Sequence, residues 1–262
     1  MLALIAGQGR LPAILVERLK TRPHIASLDG FDPDGVAPDR RFRLETLGSL
    51  IGGLKADGVT EVCFVGAIAR PEIDPTALDA ATLPLLPRIV PALQMGDDAA
   101  LRAVLAIFEE AGIYIRSATD LAPNLLPPVS VLSKRQIEEH HRKDAMRAAE
   151  IAATLGSLDL GQSCVVRKGQ ALALEALPGT DFMLNTLAGT TYGPGGLFYK
   201  AKKPTQDVRI DLPVIGVETV RCAAAAGLDG LVIQAGGVMV LDLEDVTAAI
   251  DEAGLFLWVR DA

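Results

Sequence analysis

Two periods of apolar residues alternate along the first half of this chain: short unbroken runs, and longer stretches spaced for one face of a helix. Leu2–Ala6 is a compact apolar run that stops at Gly7. After Gly7-Gln8-Gly9-Arg10, Leu11–Leu19 has helical spacing, with Pro12 in a first turn where its missing N–H costs nothing. A short segment at Ile25–Leu28, a helix over Thr46–Ala56 and a buried strand over Glu61–Val65, ending at Gly66, follow. Continuous apolar strands alternating with helices predict a parallel sheet covered on both faces. Residues 70–88, rich in Pro and Asp, read as a long loop. Asp97 then starts a helix to Ala111, stopped by Gly112, and Tyr114–Arg116 supplies a last strand.

Pro123, Pro127 and Pro128, within Ala122–Val131, mark the best domain boundary, and a different pattern begins beyond them. Lys134–Leu155 predicts one long charged helix. Cys164–Arg167 and Ala171–Glu175 predict a strand pair turned by Lys168-Gly169-Gln170, and Gly179–Leu187 a helix. Thr190–Gly196 is glycine-rich. Val208–Ile210, Leu231–Gln234 and Val238–Leu241 read as short strands, with helices over Gly216–Ala226 and Leu243–Ala253. The expected fold class is α/β: a Rossmann-like parallel-sheet domain over residues 1–130, then a mixed α/β domain over residues 131–262.

Composition narrows the function. The chain has 262 residues, half of them hydrophobic, enough for a real core. A net charge of −8, a pI near 5.0 and no basic stripe argue against a nucleic-acid partner. Cys63, Cys164 and Cys222 lack CxxC or metal-ligand spacing, which suits a reducing, cytoplasmic compartment. The opening MLALIAG has no basic flank or cleavage site and reads as a strand, not a signal peptide. No run approaches the ~20 apolar residues of a spanning helix, so any membrane contact is expected to be peripheral.

Several segments could carry chemistry. The loop Gly7–Pro12 can aim N–H groups and a helix dipole at a phosphate; a tight structural turn is the plainer reading. Pro12 stands where a dinucleotide fingerprint wants glycine, and Asp29 or Asp32 meets its acidic position only loosely, which weakens the alternative of a nucleotide-cofactor oxidoreductase. Glu109–Ile113 looks like the tail of a Nudix box, but Leu105 and Ala106 stand where its Arg-Glu pair should be. Gly96-Asp97-Asp98 suits helix capping, or helps hold Mg²⁺, which takes oxygen ligands. The segment 200–213 is the densest: Lys200, Lys202, Lys203, Gln206, Asp207, Arg209 and Asp211. In an extended run Asp207, Arg209 and Asp211 share a face, offering a metal ligand, a general base and a guanidinium together. A solvated edge strand with paired charges is the alternative. Glu175 with Gly179-Thr180-Asp181 reads as a strand end and a helix N-cap, and His140 and His141 as a solvated helix face. The GxSxG, HExxH and Walker signatures are absent from the sequence.

Taken together, IAGQGRLP (5–12), GDDAALR (96–102), LDLGQSCVV (158–166), EALPGTDFML (175–184), KAKKPTQDVRIDLPVIGVETV (200–220) and AGLFLW (253–258) resemble the UDP-2,3-diacylglucosamine pyrophosphatases of the LpxI type. The resemblance implies two α/β domains with UDP-2,3-diacylglucosamine bound between them, a homodimer, and transient contact with the inner face of the inner membrane. It also implies Mg²⁺-dependent hydrolysis to UMP and 2,3-diacylglucosamine 1-phosphate, in lipid A synthesis. Attack at the phosphorus next to the sugar is favoured by the resemblance and is not told by the residues. Asp211 takes the place of the family's catalytic carboxylate, with Arg209 and Lys203 beside it. Gly7, Gly9, Leu11, Pro12, Gly66, Gln162, Gly179, Thr180, Asp181, Lys200 and Gln206 are the expected substrate contacts; Asp211, Asp207, Asp97 and Asp98 are the expected metal ligands. Pro178 replaces the usual glutamate before Gly179, and Lys202 a common proline. A carrier that binds the nucleotide-sugar lipid without cleaving it is the remaining alternative.

Overall fold

The computed structural model describes residues 1–68, 73–95, 97–190, 193–204, 206–210 and 212–261, the side chains of Asp97 and Asp98 excepted. The chain forms two compact units, Met1–Pro123 and Asn124–Ala262.

In the first unit β1 (Leu2–Ala6), α1 (Leu11–Arg18), β2 (His24–Leu28), β3 (Arg40–Phe42), α2 (Leu47–Ala56) and β4 (Glu61–Val65) follow one another. They continue with α3 (Leu86–Met95), α4 (Asp97–Glu110), β5 (Tyr114–Ile115) and α5 (Ala118–Leu121). The sheet order is β3-β2-β1-β4-β5, with every pairing parallel. Leu4, Ile5, Ile25, Val62 and Cys63 lie at its centre with at most 3% of their surface exposed, so the strands need unbroken apolar runs. Because β1 is flanked by β2 on one side and β4 on the other, the chain direction reverses between β1 and β4. That reversal is where open α/β sheets bind ligands, at the carboxyl ends of the strands.

One expectation here is corrected. The segment 70–88 is not loop to its end: 3₁₀ turns form at Pro75–Ala77 and Leu83–Leu85, and α3 begins at Leu86. Pro87 sits in the first turn, where a missing N–H is harmless, and Pro91 is accommodated inside the helix.

The second unit contains β6 (Ser130–Val131), α6 (Glu139–Ser157), β7 (Ser163–Arg167), β8 (Gln170–Leu174), α7 (Thr180–Leu187), β9 (Leu197–Lys200) and β10 (Val214–Ile215). After these come α8 (Val217–Ala225), β11 (Gly230–Gln234), β12 (Met239–Val240), α9 (Leu243–Glu252) and β13 (Phe256–Arg260). Its mixed sheet runs β6-β13-β11-β9-β7-β8, and β10 pairs with β12 alone. The central strands β9, β11 and β13 are parallel, while β7 is antiparallel to both β8 and β9. One face packs against α7, α8 and α9 through Val165, Phe198, Leu231, Ile233, Leu257, Val220 and Val246; the other meets Ala145, Ala148 and Ala152 of α6.

Three further expectations are corrected in this unit. The helix predicted from Lys134 starts at Glu139, because residues 133–136 are drawn elsewhere: Lys134 N–H donates to Asp251 and the Arg135 guanidinium to Asp229. His141 does not lie on a solvated face but is fully buried beside the Phe256 ring. Val208–Ile210 is a turn and not a strand, closed by Ile210 N–H donating to the Asp207 carbonyl.

Candidate functional site

Each unit brings candidate residues to the carboxyl edge of its parallel strands. In the first unit the loops after β1 and β4 zip together. Gly7 N–H donates to Val65 O at 2.8 Å, Gln8 N–H to Ala67 O at 2.8 Å, and Ala67 N–H to Gln8 O at 2.9 Å. The approach is so close that a Cβ on Gly66 would lie 2.4 Å from Gly7 O, and Gly66 also holds a φ of +91°, so a side chain there is doubly excluded. The N–H groups of Gly7 and Gln8 are therefore spent on structure. The donors this loop can offer a ligand come from the first turn of α1, ahead of the Ile14 N–H to Arg10 O bond, where helices leave N–H groups without internal partners. Leu11 and Pro12 are buried, which makes them packing residues that hold that turn in place. Asp32, the loosely placed acidic residue, is fully engaged by Arg41 and Ser27.

In the second unit the edge is richer. Strand polarity puts Lys200 at the end of β9, Gln234 at the end of β11 and Arg260 at the end of β13 on one side of the sheet. The antiparallel neighbours bring Ser163 opposite Lys200, and Glu175 follows β8 at the same edge. Lys200 is only 6% exposed and Glu175 only 7%. Between them stands Thr180, at the start of α7. Its hydroxyl donates to Glu175 Oε1 at 2.7 Å and accepts from Lys200 Nζ at 2.8 Å. Lys200 Nζ also donates to Val214 O at 3.2 Å, and Glu175 Oε2 accepts from Gln162 N–H at 3.1 Å. Gln162 Oε1 and Ser163 Oγ, both buried, lack a hydrogen-bond partner among the described residues.

Asp181 stands next to this group on its solvent side. Desolvation by its neighbours raises its carboxyl above the ordinary carboxylate range; Lys200 and Thr219 oppose the rise, while Glu218 and Glu175 add to it.

The segment after β9 wraps the same edge. Lys202 N–H donates to Gln234 Oε1 at 3.2 Å, and Lys203 N–H to Gln206 Oε1 at 3.0 Å. Lys203 Nζ pairs with Asp159 at 2.6 Å. Asp207 and Arg209 do not share a strand face. The Asp207 carboxylate accepts from Arg209 N–H at 3.0 Å and takes a fork from the guanidinium, Nε at 3.0 Å and Nη2 at 2.7 Å. A turn brings the two charges onto each other, where a strand would have aimed them in parallel. Asp211 lies outside the described residues, as do the side chains of Asp97 and Asp98; the backbone places Asp97 at the first position of α4.

Gln162, Thr180, Asp181, Lys200, Lys203, Gln206, Asp207 and Arg209 thus belong to one unit, and Gly179 precedes α7 there; Gly7, Gly9, Leu11, Pro12 and Gly66 belong to the other. Gln234 and Asp159 were missed in the sequence. For Gln234 the signal is strand polarity, visible only once β9 is recognised; Asp159 lies within the block 158–166, where its pairing with Lys203 is not legible.

Of the oxygen donors at this edge, both Glu175 oxygens are taken by Thr180 and Gln162 N–H and the Asp207 carboxylate is held by Arg209, while the buried Gln162 Oε1 is of the kind a hard cation such as Mg²⁺ accepts. Among the described residues, the group with metal-ligand spacing is elsewhere: His140, His141 and Asp229 at the amino ends of β9, β11 and β13. There the Arg135 guanidinium takes Asp229 Oδ1 at 2.7 Å and Gly196 N–H takes Oδ2 at 2.9 Å, so the carboxylate is spent and a neighbouring cation repels a metal.

Models of two families match the chain: the LpxI N-terminal domain over residues 1–125 and the LpxI C-terminal domain over residues 128–258. A curated protein from Caulobacter vibrioides, the UDP-2,3-diacylglucosamine pyrophosphatase LpxI, is 38% identical over 268 residues, covering 98% of this chain and 96% of that protein.

Proposed function

The chain belongs to the LpxI family, and from that premise we propose that it is a phosphoanhydride hydrolase that cleaves UDP-2,3-diacylglucosamine in lipid A synthesis, releasing UMP and 2,3-diacylglucosamine 1-phosphate. The observation that carries the reading is the buried ammonium of Lys200, fixed at the carboxyl end of a parallel strand and followed by a segment bearing Lys203 and Arg209. Diphosphate oxygens are what a fixed ammonium and a preoriented guanidinium recognise.

In this account Lys200, Lys203 and Arg209 hold the diphosphate oxygens and stabilise the charge that spreads over them as the anhydride opens. Arg209 reaches them from a guanidinium already oriented by Asp207. Asp211 is the catalytic carboxylate in this proposal. Mg²⁺ would be held by Asp211 with a share of Asp207, and when bound supplies neutralisation of the diphosphate and orientation of water. Because the Arg209 fork occupies Asp207, the larger share of the metal falls to Asp211. The first turn of α1 offers the N–H donors of a second anion site, suited to a nucleotide phosphate.

The two acyl chains call for apolar surface. Leu83, Val90 and Met95, on and just before α3, are 52%, 42% and 81% exposed and are the proposed contacts. Among the described residues no helix is long and apolar enough to cross a membrane. Substrate delivery therefore calls for transient binding at the inner face of the inner membrane, with a homodimer as the proposed assembly.

Product identity tests this reading. With Mg²⁺ present, chromatography of a reaction on UDP-2,3-diacylglucosamine should show UMP and a phosphorylated diacyl sugar in equal amounts. UDP with an unphosphorylated sugar lipid would overturn the assignment. Bound but intact substrate would favour a carrier.

A further inference from the structure

We infer that Glu175 is a positioning residue for this reaction: acting through the Thr180 hydroxyl, it fixes the Lys200 ammonium at the carboxyl end of β9. The inference rests on the hydrolase reading above. Three partners define the direction of the relay without ambiguity. A carboxylate can only accept and an ammonium can only donate, so the single hydroxyl proton of Thr180 must point to Glu175 and a lone pair to Lys200. The distances, 2.7 Å and 2.8 Å, are those of charge-assisted bonds.

Both ends of the relay are tethered. Gln162 N–H holds the second Glu175 oxygen, and Val214 O takes another ammonium proton. Gly161 closes over the glutamate so tightly that a Cβ there would lie 2.2 Å from Glu175 O. A buried carboxylate and ammonium stabilise a fold poorly, since desolvation offsets their attraction and an apolar pair of similar volume does as well. What they provide is a charge that needs no reorganisation when a substrate's charge develops beside it. Thr180 and Lys200 are among the expected substrate contacts; Glu175 is not, and both of its carboxylate oxygens are taken, by Thr180 and by Gln162 N–H.

Three variants of the full chain test this: Thr180→Val, Thr180→Ser and Glu175→Gln. Each is read by steady-state UMP release and by the rate at which an amine-acylating reagent labels Lys200, followed by peptide mass spectrometry. Thr180→Val should lower kcat about ten- to a hundredfold with little change in KM, the loss expected for one hydrogen bond to a charged group. Labelling of Lys200 should rise several-fold in Thr180→Val and in Glu175→Gln. Thr180→Ser, which keeps the hydroxyl, should recover most of the lost kcat and the slow labelling. Parental kcat and labelling in Thr180→Val would overturn the inference, as would a serine variant that fails as badly as valine. If the parent protein releases no UMP, the hydrolase reading fails, and the labelling comparison alone still decides whether Glu175 and Thr180 hold Lys200.

Discussion

Asp229→Asn is expected to separate stability from activity. Asp229 ties together the amino ends of three strands: Oδ1 accepts from Arg135 Nη2 at 2.7 Å, Oδ2 from Gly196 N–H at 2.9 Å, and His141 Nε2 lies 3.5 Å from Oδ2. Its backbone adds Asp229 N–H to Gly196 O at 2.7 Å and Phe256 N–H to Asp229 O at 3.1 Å. Asparagine keeps the shape but has one acceptor, so its NH₂ must face Arg135 or Gly196 N–H, both donors. Losing one charge-assisted bond costs about 1.5–3 kcal/mol. The Arg135 side chain is 37% exposed, which discounts its share, so about 2 kcal/mol is expected in all. Desolvation raises the Asp229 carboxyl, but Arg135, Gly196 N–H and His141 outweigh it and hold the carboxyl below its ordinary value. A depressed carboxylate stabilises the fold above its unfolded pKa, and that contribution fades as pH falls through the folded one. Urea unfolding should thus show the full gap between parent and variant at pH 7 and a narrower one below about pH 4. UMP release should be unaffected, because Asp229 is level with Gly196 and Lys200 ends β9 four residues further on, at the opposite end of the strands and about 13 Å away at ~3.3 Å per residue. Equal urea midpoints at pH 7, or a gap that persists unchanged in acid, would mean that the Asp229 carboxylate does not hold these strand ends together.

Other expectations follow from the same geometry. Burial first, and His140 beside it, push the His141 imidazole below its ordinary pKa, so the unfolded chain binds the extra proton and stability climbs as pH rises towards about 6.5. His141→Gln should flatten that climb in urea melts between about pH 5 and 7; an unchanged slope would place its origin elsewhere. Gly66→Ala forces a side chain into φ +91° and against Gly7 O, for a loss of about 2–5 kcal/mol read from the urea midpoint. A midpoint within experimental error of the parent would mean that the two loops are not clamped together. Arg209→Lys cannot reproduce the fork to Asp207 and should lower kcat/KM roughly tenfold or more, whereas retained activity would mean that only the charge matters.

Much of the fold was legible because its signals are local. Leu2–Ala6 and Glu61–Val65 each stop at a glycine and are buried on both faces, so the apolar run and the strand coincide. The β7–β8 hairpin announces itself through Lys168-Gly169, both in the left-handed region. Elements that depend on distant partners were not legible. Strand β9 lies between a glycine-rich stretch and the lysines; its four residues are strand only because β7 and β11 flank them. With β9 unseen, Lys200 looked like a loop lysine, although it is the buried end of a central strand. Helix α3 was hidden by Pro87 and Pro91, which argue locally against a helix that packing against α4 nevertheless sustains. Alternation was read into 207–211, where Asp207 instead accepts from the Arg209 main chain and bends the segment into a turn. Residue types at the site were thus visible from the sequence, and their partners were not.

UMP release from UDP-2,3-diacylglucosamine, followed for the parent protein and its Asp211→Ala variant with Mg²⁺ and with the metal chelated, decides whether Asp211 and the metal drive the reaction. Release by the parent should stop on chelation and return with added Mg²⁺, and a variant that still binds substrate should release none. Undiminished release by the variant, or release by the parent that ignores the metal, would mean that Asp211 or the metal does not drive the reaction.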